Sequence, residues 1–126
     1  MPIATGLEGF VRTQEPLAPR TWFQLGGSAE YFAEPHSLEE LQELVKRCCA
    51  ENLHVRLLGG GSNILVRDEG VSGVVVNLDA PCFNDIRIEG CRVITGGAAK
   101  LAHAISAAVR HGLGGLDPLV GIPGTI

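Results

Sequence analysis

The stretch Leu57-Leu58-Gly59-Gly60-Gly61-Ser62-Asn63-Ile64-Leu65-Val66 constrains this chain more than any other. It sets three consecutive glycines and two small polar residues between apolar, strand-like segments. Glycines reach backbone angles that a Cβ forbids, so successive N–H groups there can turn inward toward one anion. Ser62 and Asn63 add side-chain donors at the rim. The residues after the loop are β-formers without helical periodicity, and neither a Walker loop nor a Rossmann turn fits, because both run into a helix N-terminus. Two readings stand on the loop alone: a phosphate cradle, or a glycine-rich turn that binds nothing.

The rest of the 126 residues describes a folded domain. Hydrophobic residues make up 45% and charged residues 19%, which excludes a disordered chain. A net charge of −4 without any Lys/Arg cluster argues against a nucleic-acid partner. No apolar run approaches the roughly 18 residues of a membrane helix, and no signal-peptide pattern opens the chain, so a soluble cytoplasmic protein without a membrane partner is expected. Cys48, Cys49, Cys82 and Cys91 form no C-x-x-C pair, which predicts reduced, mostly buried thiols. His36, His54, His103 and His111 lack metal-ligand spacing, and no metal site is predicted.

Along the chain, strand and helix signals alternate. Residues 1–19 read as a loose N-terminal arm, and Ala29 to Glu34 as a first strand stopped by Pro35. Ser37 and Glu40 form a capping box ahead of the stripe Leu38, Leu41, Leu44, Val45 and Cys48, predicting a helix to about Glu51 with Asn52 as its stop. Strands are predicted from His54 to Leu58, from Ile64 to Arg67 and from Gly73 to Leu78. Asp79-Ala80-Pro81 marks a boundary between a first subdomain, 20–80, and an incomplete second one, 81–126. There a hairpin pairs Asp85–Glu89 with Cys91–Thr95 around Gly90. The turn Gly96-Gly97-Ala98-Ala99 leads into a helix from about Lys100 to His111, closed by Gly112. That turn is either a tight strand-to-helix connection or a backbone approach to a cofactor. The apolar ending Leu119 to Ile126 reads as a chain that should continue into packed structure.

Four blocks carry a family resemblance: Thr21-Trp22-Phe23-Gln24-Leu25-Gly26-Gly27, Gly59 to Asn63 with Leu65-Val66-Arg67-Asp68 behind it, Gly96-Gly97-Ala98, and Gly121-Ile122-Pro123-Gly124-Thr125. In this order and spacing the chain resembles the UDP-N-acetylenolpyruvoylglucosamine reductase (MurB) family, flavoproteins of peptidoglycan synthesis, from about Arg20 to Ile126. The resemblance implies an α+β, PCMH-type FAD-binding fold shared with vanillyl-alcohol oxidase, in which two subdomains clasp the cofactor. It further implies that Gly59, Gly60, Gly61, Ser62 and Asn63 hold the FAD diphosphate. Gly121, Ile122, Pro123, Gly124 and Thr125 would run close to the flavin, and Gly96 and Gly97 would border the cofactor. Two positions depart from the family pattern: Arg20 stands where Asn is usual, and Ala98 where a glycine is common.

The activity implied by the resemblance is NADPH-dependent reduction of UDP-N-acetylglucosamine enolpyruvate to UDP-N-acetylmuramate. The proton-donor serine of the family, and the arginine and glutamate that polarise the substrate carboxylate, fall beyond the position matching Ile126. No catalytic residue is therefore assigned, the UDP-sugar is a partner only of a complete protein, and the 126 residues alone are expected to lack reductase activity. Another flavoenzyme of the same fold, an oxidase or a dehydrogenase flavin subunit, is the alternative. A non-catalytic nucleotide-binding domain is the other.

Overall fold

The computed structural model describes residues 3–126. A four-stranded sheet is built from β1 (Val11–Pro16), β2 (Ser28–Ala33), β3 (Val55–Leu57) and β4 (Val71–Val76), in the order β1-β2-β4-β3. β1 runs antiparallel to β2, whereas β2, β4 and β3 are mutually parallel. α1 (Leu38–Ala50) connects β2 to β3. The second half holds the antiparallel hairpin β5 (Ile86–Glu89) and β6 (Arg92–Thr95), followed by α2 (Leu101–Arg110).

Both faces of the main sheet are covered, which is why the Val74-Val75-Val76 run of β4 is apolar without alternation. Val74 and Val76 pack with Leu44 and Cys48 of α1 and with Ile3, Leu7 and Val11. Val75 faces the other way, against Phe32, Leu17, Leu58 and Val66. The expected loose arm is corrected by these contacts: Ile3, Leu7, Val11 and Leu17 are buried and β1 pairs along its length with β2. Apolar residues spaced within 1–19 join a core that local sequence does not reveal.

The expected strand from Ile64 to Arg67 is also corrected, since no strand lies between β3 and β4. β3 and β4 are parallel, so residues 58–70 must carry the chain back along the sheet before β4 can begin. Ile64 and Val66 use their apolar side chains to cover the Phe32–Val75 face instead of pairing. β4 enters with a bulge: its register against β2 shifts between Ala29 and Tyr31. The Gly73 N–H donates to the Glu30 carboxylate at 2.7 Å.

Local signals decide the remaining elements. Ser37 Oγ accepts from Glu40 N–H at 3.2 Å, half of the expected capping box, while the Glu40 carboxylate accepts from His36 N–H at 2.6 Å, not from Ser37. Asn52 takes a φ of +54° and ends α1. Gly90 turns the hairpin, and Gly112 follows α2. α2 has no side-chain cap; Leu101 N–H instead donates to Gly124 O at 3.1 Å, which ties the Gly121–Thr125 segment to the helix start.

The cysteine expectation changes in one respect. All four thiols are free, but only Cys48 is buried, and Cys49, Cys82 and Cys91 are exposed. Burial, followed by the neighbouring Cys49, pushes the Cys48 thiol above its ordinary range, which keeps it protonated and unreactive. A thiol-exchange reagent should consume three equivalents quickly in the native chain and the fourth only on unfolding. Prompt reaction of all four would show that α1 does not seal Cys48.

Candidate flavin-binding cleft

The parallel strands β2, β4 and β3 all end at one edge of the sheet, and a cleft of about 820 Å³ opens there. Glu34 follows β2, Leu57 and Leu58 close β3, and Val76, Asn77, Leu78 and Asp79 continue from β4. The opposite wall comes from the second half: Asn84, Gly97, Ala98, Lys100 and His103 of α2, Thr125 and Ile126. A crevice beyond the carboxyl ends of parallel strands is the usual ligand position in such sheets, because strand-end backbone groups there have no ladder partner.

The glycine loop meets the cleft at Gly59 and Gly60. Among the described residues, none of the backbone N–H groups of Gly59, Gly60, Gly61, Ser62 and Asn63 donates to a protein acceptor. Gly59, Gly60 and Asn63 are exposed, so most of these donors stand open to solvent or to an incoming ligand. They fit an anion held by backbone dipoles.

The glycines of the predicted site serve different ends. Gly61 has a φ of +70°, and a Cβ there would sit 2.1 Å from Arg20 O; its own carbonyl accepts from Trp22 N–H at 2.9 Å. Gly61 is thus required for packing the loop on the Thr21–Gly27 segment. Gly96 is also a packing residue, since a Cβ there would meet Phe83 O at 2.0 Å. Gly60 and Gly97 are different. Neither has a positive φ, a Cβ on either meets no protein atom within 4 Å, and both line the cleft. The protein does not need glycine at these two positions, whereas a ligand lying close to the backbone would.

The C-terminal block reaches the glycine loop directly. A Cβ on Gly59 would lie 2.7 Å from Thr125 Oγ1, and one on Gly124 3.3 Å from Ser62 Oγ. Thr125 bridges Lys100, and Ile126 N–H donates to Ala99 O at 3.0 Å. Three sequence blocks far apart in the chain therefore converge: Gly59–Asn63, Gly96–Ala98 and Gly121–Thr125. Of the residues expected at the site, Gly59, Gly60, Gly97 and Thr125 line the cleft. Gly61, Ser62, Asn63, Gly96, Gly121, Ile122, Pro123 and Gly124 lie outside its lining, and Ile122 is exposed.

Sequence reasoning missed Glu34, Asn77, Asp79, Asn84, Lys100 and His103 as lining residues. The only signal for them was position, at strand ends and in the first turn of α2. Arg20 was noticed solely as a departure. Its guanidinium lies 4.1 Å over the Phe32 ring and donates to Glu34 Oε1 and Glu15 Oε1, each at 3.0 Å. Arg12 pairs with the same two carboxylates. The Arg20 charge is thus spent within the protein.

The FAD binding domain family matches residues 29–126. UDP-N-acetylenolpyruvoylglucosamine reductase of Rhodopirellula baltica is 42% identical over 92% of this chain and 38% of its own length. The Bradyrhizobium sp. protein of the same name is 41% identical over 95% of this chain and 39% of its own. The crystal structure of UDP-N-acetylenolpyruvylglucosamine reductase (MurB) from Thermus caldophilus superposes with a TM-score of 0.70 at 33% identity, covering 92% of this chain and 40% of that one. A 6-hydroxy-D-nicotine oxidase from Arthrobacter nicotinovorans shares the fold at a TM-score of 0.51 and 20% identity, covering 88% of this chain and 23% of that one. The chain spans about two fifths of the length of the curated relatives it matches.

The sorting of the glycines is testable without a ligand. Gly61→Ala should lower stability by about 1–3 kcal/mol through its left-handed φ and the Arg20 carbonyl. Gly60→Ala should stay within about 0.5 kcal/mol of the parent. Equal thermal midpoints for the two variants would refute the distinction.

Proposed function

Because the chain belongs to the family of FAD binding domains, we propose that it holds FAD in the cleft at the strand ends and forms the flavin-binding part of a UDP-N-acetylmuramate-forming reductase. The observation that carries this reading is the row of N–H groups from Gly59 to Asn63 that find no acceptor among the described residues, with open space at Gly60 within the row and at Gly97 on the opposite wall. The fold is the α+β, PCMH-type FAD-binding fold.

In this reading Gly59 to Asn63 hold the diphosphate and Gly121 to Thr125 run along the flavin. Gly96 and Gly97 border the cofactor, Gly97 at the cleft and Gly96 as the anchor of its turn on Phe83. When bound, FAD supplies the hydride-relay chemistry of the reduction, with NADPH as hydride source and UDP-N-acetylglucosamine enolpyruvate as acceptor. The residues of this chain bind and orient. The backbone amides fix the anion, Leu57 and Leu58 give the cleft an apolar wall, and Thr125 lies so near Gly59 that a Cβ there would clash with its Oγ1, which brings the two sides together. No group here is assigned to move a proton. The likeness in sequence to named reductases supports peptidoglycan precursor synthesis in the cytoplasm as the setting.

Titration with FAD tests the binding step. Trp22 is the sole tryptophan, and its backbone N–H donates to Gly61 O, which places its ring beside the glycine loop as a reporter. A saturable change in both flavin fluorescence and Trp22 emission is expected, and its absence overturns the reading. Gly60→Ala should weaken that binding although it leaves the fold intact. The 126 residues should show no steady NADPH oxidation dependent on the enolpyruvyl substrate. Turnover would place catalytic groups within this chain.

A further inference from the structure

We infer that Asn77 is a positioning residue for the anion cradle, an inference that rests on the flavin-binding reading for its ligand although not for its geometry. Asn77 follows β4 directly, and its backbone N–H donates to Ala33 O at 2.9 Å, fixing it to β2. Its carboxamide Nδ2 donates to Leu58 O at 2.9 Å and lies 3.4 Å from Gly59 O. The first is a full hydrogen bond and the second a long one that steers.

In a trans peptide the C=O and the following N–H point in opposite directions. By drawing these two oxygens toward itself, the one carboxamide turns the N–H groups of Gly59 and Gly60 away from Asn77, where neither meets a protein acceptor. Leu58 is pinned a second time, because its own N–H donates to Val76 O at 2.9 Å. Beyond Leu58 the chain enters three glycines, the residues least able to hold a peptide plane by themselves. Without the carboxamide, those planes sample orientations that aim carbonyl oxygens at the anion. Asn77 thereby sets which edge of the loop an anion meets.

The test is Asn77→Leu in the 126-residue chain, a neutral change of similar size that removes both donors and adds no charge to the cleft. Backbone relaxation of Gly59 and Gly60 without ligand should show rigid amides in the parent and mobile ones in the variant. FAD affinity should fall about tenfold. Should Asn77→Leu not fold, Asn77→Ser, which keeps a polar group and lacks the two-donor amide, is read the same way. Unchanged FAD affinity overturns the inference, as does weaker binding with Gly59 and Gly60 still rigid. If the parent chain itself fails to bind FAD, the functional reading falls and takes the ligand half of this inference with it. Unaltered glycine mobility in the variant overturns the geometric half by itself.

Discussion

Parallel pairing of β3 with β4 is the constraint on which the rest of the molecule depends. Two parallel neighbours cannot be joined by a tight turn, so residues 58–70 must leave the end of β3, cross the sheet and re-enter at the start of β4. Such crossovers are usually helical. Here the chain makes the crossing in 13 residues without a helix, and two consequences follow. The departing end is free to be a bare backbone loop at the sheet edge, and the returning end, through Ile64 and Val66, becomes the cover of the Phe32–Val75 face. Site and core are made by opposite ends of one connection.

That economy explains the crowding around the loop. Gly61 lies against the Arg20 carbonyl, Gly26 against Val66, and Gly27 against the Asp68 and Gly70 backbone. The Thr21–Gly27 segment therefore sits on the crossover almost backbone to backbone, and Gly27 N–H closes it with a 2.9 Å bond to Arg67 O. A loop whose five N–H groups find no acceptor among the described residues keeps its shape because its flanks are fixed at this many points. The glycines at 26, 27 and 61 let the supports approach, and those at 60 and 97 leave room on the open side.

Much of this was legible in sequence where a signal was local. Ser37, Asn52, Gly90 and Gly112 each fix their own turn or cap by side-chain or backbone chemistry, and α1, the hairpin and α2 lie where those residues predict them. Readings failed where the decision was non-local. Nothing in residues 1–19 announces that Ile3 and Leu7 will pack on α1, because the partner surface forms only after β2, α1 and β4 assemble. Ile64-Leu65-Val66 has every intrinsic preference of a strand, yet the parallel topology leaves it no strand to pair with, and burial against the sheet decides instead. At the cleft, glycine clusters drew attention to the loop, whereas Asn77, Glu34 and Lys100 are ordinary residues made relevant by strand ends. Arg20 departs from the family pattern at a position whose charge the fold then cancels.

Under the flavin-binding proposal, that cancellation bears on what would attract an anion to the cleft. Arg20 and Lys100 face Glu34 and Asp79 in the lining, so formal charge is balanced, and Arg20 is already committed to two carboxylates. An exposed lysine contributes about 0–1 kcal/mol to an ion pair, further reduced by salt. A hydrogen bond to a charged group contributes about 1.5–3 kcal/mol. Two or more loop amides acting together would therefore outweigh Lys100, the lining cation without an ion-pair partner among the described residues. An anion held by dipoles depends on how firmly those dipoles are aimed, because a peptide group that rotates presents its oxygen in place of its N–H. In that reading affinity is a matter of rigidity more than of charge, and the rigidity comes from neighbours of the loop: Asn77, which donates to Leu58 O, and Trp22, whose backbone N–H donates to Gly61 O.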